Sequence, residues 1–168
     1  MAGGFGHAAA LSPDETRLST ITENAVDVTA LDLTGSRYAE LADDTYVLDV
    51  EWIDDSHIVV LVTSPAGSAA LHRFEVTDVS LVAAGSLSIP KSTALAGVHD
   101  GVLYVSGGRP TLTAYAGDTL APLPSMDIEM PLVPLSAAMH DGELRWIDYD
   151  RALHIGDTIV PGQYVWVG

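Results

Sequence analysis

Two stretches decide how this chain is read: Leu95-Ala96-Gly97-Val98-His99-Asp100-Gly101-Val102-Leu103-Tyr104 and Ala137-Ala138-Met139-His140-Asp141-Gly142-Glu143-Leu144-Arg145-Trp146. Each is a small or apolar run, a His-Asp-Gly turn and a second apolar run. Asp-Gly is the pair that a two-residue hairpin prefers, because both central residues must take φ > 0. The arrangement recurs upstream with other turn residues. Asp14-Glu15 follows Ala8-Ala9-Ala10-Leu11, and Asp54-Asp55 follows Asp49-Val50-Glu51-Trp52. The strands after the four turns open with Leu18, Ile58, Leu103 and Leu144. Pro13-Asp14 suits a type I turn instead. The turns are 40, 46 and 41 residues apart in the numbering.

Whole units repeat around these turns. Strands are expected at Arg17–Thr22, Val26–Leu33, Val47–Trp52, His57–Thr63, Ala69–Val76, Val79–Leu87, Val102–Ser106, Thr111–Ala116, Leu144–Asp148 and Ala152–Ile155. Fourth strands are expected at Tyr38–Leu41, Val79–Leu87, Leu120–Leu123 and Tyr164–Val167. Helical periodicity is almost absent, and Asp, Gly, Ser or Pro bounds every apolar run. Four strands per unit at a period of 40 to 50 residues is the pattern of β-propeller blades. A lone four-stranded meander has two apolar faces and can bury neither; blades stacked around an axis bury both. The expected fold is therefore all-β, a β-propeller or part-propeller of about four four-stranded blades, at roughly 7–45, 46–90, 91–127 and 128–168. A β-sandwich with even spacing is the competing reading. Closing the ring is expected to need further blades or self-association.

Composition excludes several classes. Of 168 residues, 7 are Lys or Arg and 23 are Asp or Glu, for a formal net charge of −16. Lys91 is the single lysine, so nucleic acid and anionic lipid, which demand a basic footprint, are not expected partners. There are no cysteines, which removes disulfides, thiolate catalysis and Cys-type zinc sites. The longest strictly apolar run, Ile58–Val62, is far short of the roughly 20 residues of a membrane-spanning helix. Met1–His7 has no basic or apolar region of a signal peptide, so any export signal is expected upstream.

Leu11-Ser12-Pro13-Asp14-Glu15-Thr16-Arg17-Leu18 resembles the Ser-Pro-Asp-Gly turn of TolB-like and WD40-like bacterial propellers, with Glu15 in the usual glycine position. Val50–Leu61 is similar to the second blade element of that group, with Trp52 before the turn. The lysine-poor, Ala/Val/Leu/Asp-rich style resembles the propeller domain of actinobacterial LpqB-type lipoproteins, though without a lipobox cysteine and with too few blades. The resemblance implies an extracytoplasmic envelope domain, membrane-anchored through a segment outside this sequence. It also implies a protein partner such as a membrane sensor kinase.

Residues able to carry chemistry are few. Gly4-Phe5-Gly6-His7-Ala8-Ala9 fits a dinucleotide fingerprint in letters, but no strand precedes it and Ser12-Pro13 stops any helix after it. His7, His57, His72, His99, His140 and His154 lack metal-ligand spacing. His99 and His140 are equivalent turn residues, readable as a ring of imidazoles on one face or as side chains that satisfy the local backbone. The acid pairs Asp43-Asp44, Asp54-Asp55 and Asp148-Tyr149-Asp150 form no calcium loop. Neither Ser64–Ser68 nor Val105–Gly108 is a nucleophile elbow. Trp52 reads as core between blades, and Tyr164 and Trp166 as a terminal clasp. No catalytic, cofactor or metal residues are assigned. The expected function is a non-enzymatic interaction platform using His99, Asp100, His140, Asp141 and Arg145 on one face. Alternatives are a propeller hydrolase, lyase or sugar-binding module using acids near the axial channel, or a fragment with no independent function.

Overall fold

The computed structural model describes residues 9–42 and 44–165, leaving the Gly4–Ala9 motif largely, and His7, Asp43 and Trp166 wholly, outside the described residues. Four antiparallel four-stranded meanders follow one another along the chain. The first holds β1 (Ala9–Leu11), β2 (Arg17–Ile21), β3 (Ala25–Ala30) and β4 (Ser36–Glu40). The second holds β5 (Tyr46–Asp54), β6 (His57–Thr63), β7 (Ala69–Val76) and β8 (Leu81–Ile89). The third holds β9 (Ser92–His99), β10 (Val102–Gly107), β11 (Thr111–Ala116) and β12 (Ile128–Glu129); the fourth holds β13 (Ser136–His140), β14 (Glu143–Ile147), β15 (Leu153–Ile155) and β16 (Thr158–Val160).

The turn chemistry is as the sequence implies. Asp100 and Gly101 have φ of 49° and 74°, Asp141 and Gly142 of 50° and 76°, and His99 pairs with Val102 as His140 does with Glu143. At the first turn the Glu15 N–H donates to the Ser12 carbonyl at 2.8 Å. Glu15 then takes φ 57°, the left-handed conformation that a glycine would adopt without strain.

Two expected edge strands lie elsewhere. Leu120–Leu123 makes only a bridge between Tyr115 and Pro122. Pro122 and Pro124 have no N–H to give a ladder, and a 3-10 turn at Pro124–Met126 intervenes before β12 forms. Asp127 Oδ1 accepts the Ala114 N–H at 2.8 Å, where a strand would otherwise supply a carbonyl. β12 thus belongs to the third sheet although it lies past residue 127. Tyr164 and Val165 are not in a strand either. The fourth sheet closes earlier, through a tight turn at Gly156-Asp157 with Ile155 opposite Thr158.

Three apolar clusters join consecutive sheets. β6 shows why its sequence is apolar throughout: Ile58, Val60 and Val62 enter the first cluster, Val59 and Leu61 the second. Alternate residues of a strand face opposite ways, so a strand between two neighbours needs apolar residues at every position. Each such side chain contributes roughly 1.5–3 kcal/mol on full burial. Trp52, 3% exposed, adds a hydrogen bond from its Nε1 to the Ala10 carbonyl at 3.1 Å, tying β5 to β1. Asp49 is fully buried in β5. Its Oδ2 accepts the Leu95 N–H at 2.8 Å and its Oδ1 the Val50 N–H at 2.9 Å, so a carboxyl links the second sheet to the third.

Candidate functional site

The first strands of the four sheets, β1, β5, β9 and β13, lie side by side in that order. Each leads into its turn, and the turns touch in sequence. The Asp14 N–H donates to Asp55 Oδ1 at 2.9 Å. The Gly117 N–H donates to the Gly101 carbonyl at 2.8 Å, and Ile53 packs so closely that a Cβ on Gly117 would lie 2.7 Å from it. His99 covers Gly142, where a Cβ would meet Nε2 at 2.6 Å. Gly142→Ala is therefore expected to lower the stability by about 2–3 kcal/mol, combining left-handed strain of about 1–2 kcal/mol with displacement of the imidazole. Gly101→Ala has the same sign of φ and open space, so it should lose the strain alone. Equal urea midpoints for the two variants would contradict the His99 contact.

Inside this run of turns is a cavity of about 370 Å³ lined from all four sheets: Leu11 and Pro13, Glu51–Ile53, Gly97–Gly101, and Met139. His99 and Asp100 border it, with His99 Nε2 3.4 Å from Asp100 Oδ2. A second cavity, of about 490 Å³, opens between the first two sheets beside Glu15, Arg17, Leu31, Asp32, Arg37 and Asp78. Arg37 spans the gap, its Nε donating to the Thr77 carbonyl at 3.0 Å and its Nη2 to the Asp78 carbonyl at 2.8 Å. Its Nη1 is buried with no hydrogen-bond partner among the described residues. Arg17 lies over the Trp52 ring at 5.7 Å. Around this cavity Leu33 is 82% and Val79 85% exposed, and Leu33 holds φ 62°. Neither was singled out from sequence; two isolated apolar loop residues carry no periodicity.

Local hydrogen bonding sets the charges of the turns. The Ser12 hydroxyl, then that of Thr16, hold the Asp14 carboxyl below its ordinary value. Burial pushes Asp54 up, but the Ser56 N–H and His57 outweigh it and the net shift is downward. His154, at 2.9 Å, lowers Asp148 and stacks on Trp146 with ring centroids 3.8 Å apart. Thr34 lowers Asp32. Burial lowers His72. All these shifts have one consequence. An acid with a depressed folded pKa loses stabilisation as pH falls from the unfolded value of 3.8 through the folded one. A histidine depressed by burial destabilises the fold as pH falls below its unfolded value of 6.5. Chemical denaturation across pH should show stability declining below about pH 6.5 and more steeply below about pH 4. In His72→Gln the upper step should shrink; its persistence would count against the assignment.

No protein-family model matches the chain, and no curated protein matches it. Among solved structures it is similar to a chain in the crystal structure of a mitotic checkpoint complex, with a TM-score of 0.68 and 16% identity over 94% of its own length. It spans half the length of that chain. With four consecutive antiparallel four-stranded sheets, this likeness decides the architecture. The fold is a part-propeller.

The four sheets are its blades, and the turn face is where the expected interaction residues can be placed. His99 and Asp100 of the third blade reach the cavity. His140 and Asp141 occupy the adjacent exposed turn, 3.5 Å apart. Arg145 is not with them. It pairs with Ala138 across β13–β14, on the blade face opposite Trp146 and Leu144, which pack on the third blade. Among the described residues no three His, Asp or Glu side chains are grouped to hold a metal ion. Asp54, Asp55 and Asp148 bond within and between turns.

Proposed function

We propose that this part-propeller is a non-enzymatic protein-interaction domain that takes its partner on the turn face. The observation that carries this reading is the cavity to which all four blades contribute, bordered by His99 and Asp100. Leu33 and Val79, in the turns after β3 and β7, are further exposed apolar residues. Leu33 is held there in a backbone conformation costly for a leucine. The net charge of −16 favours a basic partner and a salt-sensitive association.

The finer reading is an extracytoplasmic domain of a bacterial envelope lipoprotein, anchored by a segment outside this chain and partnered by a membrane sensor kinase. It is supported by the turn at Leu11–Leu18 and the Trp52 element, which resemble that group. Among the described residues no helix is long and apolar enough to cross a membrane. The test is site-specific photo-crosslinking in cells, with the crosslinker at Asp100 or Asp141, compared with Lys91 at the opposite end of β9. One protein captured at the turns and not at Lys91, and lost as salt rises, supports the reading. Equal capture at both ends, or none at the turns, overturns it.

A further inference from the structure

The three apolar clusters join four blades, which leaves two blade faces outside any of them: the face of the first blade turned from the second, and the face of the fourth turned from the third. These outer faces differ from the inner ones. The second strands of the internal blades are apolar on both sides, from Ile58 to Val62 and from Val102 to Val105. On the first blade the outer face carries exposed Leu11 and Tyr38 with Thr20 opposite Asp27. Asp27 is held in place by two hydroxyls, Thr29 Oγ1 at 2.6 Å and Ser36 Oγ. On the fourth blade the outer face carries Arg145 between Ala138 and Ile155. Arg145 Nη2 is 3.7 Å from Glu143 Oε2, while its Nε is buried with no hydrogen-bond partner among the described residues. One end of the arc thus offers an oriented carboxylate and the other a partly exposed guanidinium.

We infer that a second copy of this chain closes the ring, the fourth blade of each copy stacking on the first blade of the other, with Arg145 meeting Asp27 at both junctions. The match to half of a solved propeller-type chain fits an arc that a second arc completes. A two-fold axis generates both junctions from one pair of surfaces, and eight blades lie within the range of known rings. Closure would also place the partner's turns beside the cavity that lies inside the run of turns, so the partner copy contributes to the candidate site.

Sedimentation of the full chain at micromolar concentration tests this. The expected mass is about twice 17.7 kDa and does not grow with concentration. A monomer, as expected if further blades of a longer polypeptide or another protein cover these faces, overturns the inference, as does an open-ended series. Arg145→Glu sets two acids against each other at both junctions and should weaken the dimer more than about tenfold. Asp27→Lys should do the same with two cations. Mixing the two variants places opposite charges at one junction and the native pair at the other, so a heterodimer should form where neither variant self-associates. Circular dichroism of the Arg145→Glu monomer confirms that it is folded; a variant that stays dimeric overturns the junction.

Discussion

Trp52→Ala is expected to lower stability by about 3–5 kcal/mol, the usual cost of deleting a large aromatic side chain from a packed core. Trp52 sits in the cluster between the first two blades, bonded to the Ala10 carbonyl and covered by Arg17. The loss has two separable parts. Trp52→Phe keeps most of the apolar volume and gives up the Nε1–H, so it should cost about 1–2 kcal/mol, near the value of one hydrogen bond plus a small void. Urea denaturation followed by circular dichroism reads both. Amide exchange locates the damage: β1–β4 should exchange faster in Trp52→Ala while β13–β16 change little. A loss under about 1.5 kcal/mol, or uniform exchange, would mean that Trp52 does not fasten the first blade.

Asp49→Ala is expected to cost about 3 kcal/mol. The Leu95 N–H would lose its acceptor inside the core, and an unsatisfied buried donor costs about 1–3 kcal/mol before the void is counted. Asn does not rescue the site. Its one amide oxygen can take the place of either Oδ1 or Oδ2, leaving an NH₂ facing the other backbone N–H. Asp49→Asn should therefore lose about 2 kcal/mol, and its exchange protection should fall at Leu95, in the neighbouring blade. Full stability of the Asn variant would show that one acceptor suffices.

These two residues mark the limits of reading the chain without its fold. The bounds of β6, β7 and β11 were legible to the residue, because apolar runs there end abruptly at turn residues. The Asp-Gly hairpins were legible because few residue pairs tolerate two positive φ angles. Trp52 was legible as core because an aromatic among β-branched residues has little else to do. Asp49 was not singled out: an acid in a strand ordinarily points to water, and its partner lies 46 residues away in the next sheet. The edge strands failed for a local reason. Gly156-Asp157 is itself a hairpin signal, yet it yields only a three-residue strand, and prolines displaced β12. On the turn face, His99 and Asp100 followed from the repeat. Arg145 belongs to the repeat unit of His140 and Asp141, but strand alternation sends it to the other side of its blade; Arg37 lies in the edge strand β4, and Leu33 and Val79 sit in turns without period.

The doubly buried β6 also bears on how the chain reaches its fold. Ile58-Val59-Val60-Leu61-Val62 has no charge, no proline and no glycine, the makeup of a segment that pairs readily with copies of itself. In the native state β5 and β7 occupy both of its edges. Before they arrive, the strand that contributes to two interfaces is the most adhesive part of the polypeptide. Refolding is therefore a race between intramolecular pairing by β5 and β7 and intermolecular pairing by β6, and concentration decides the winner.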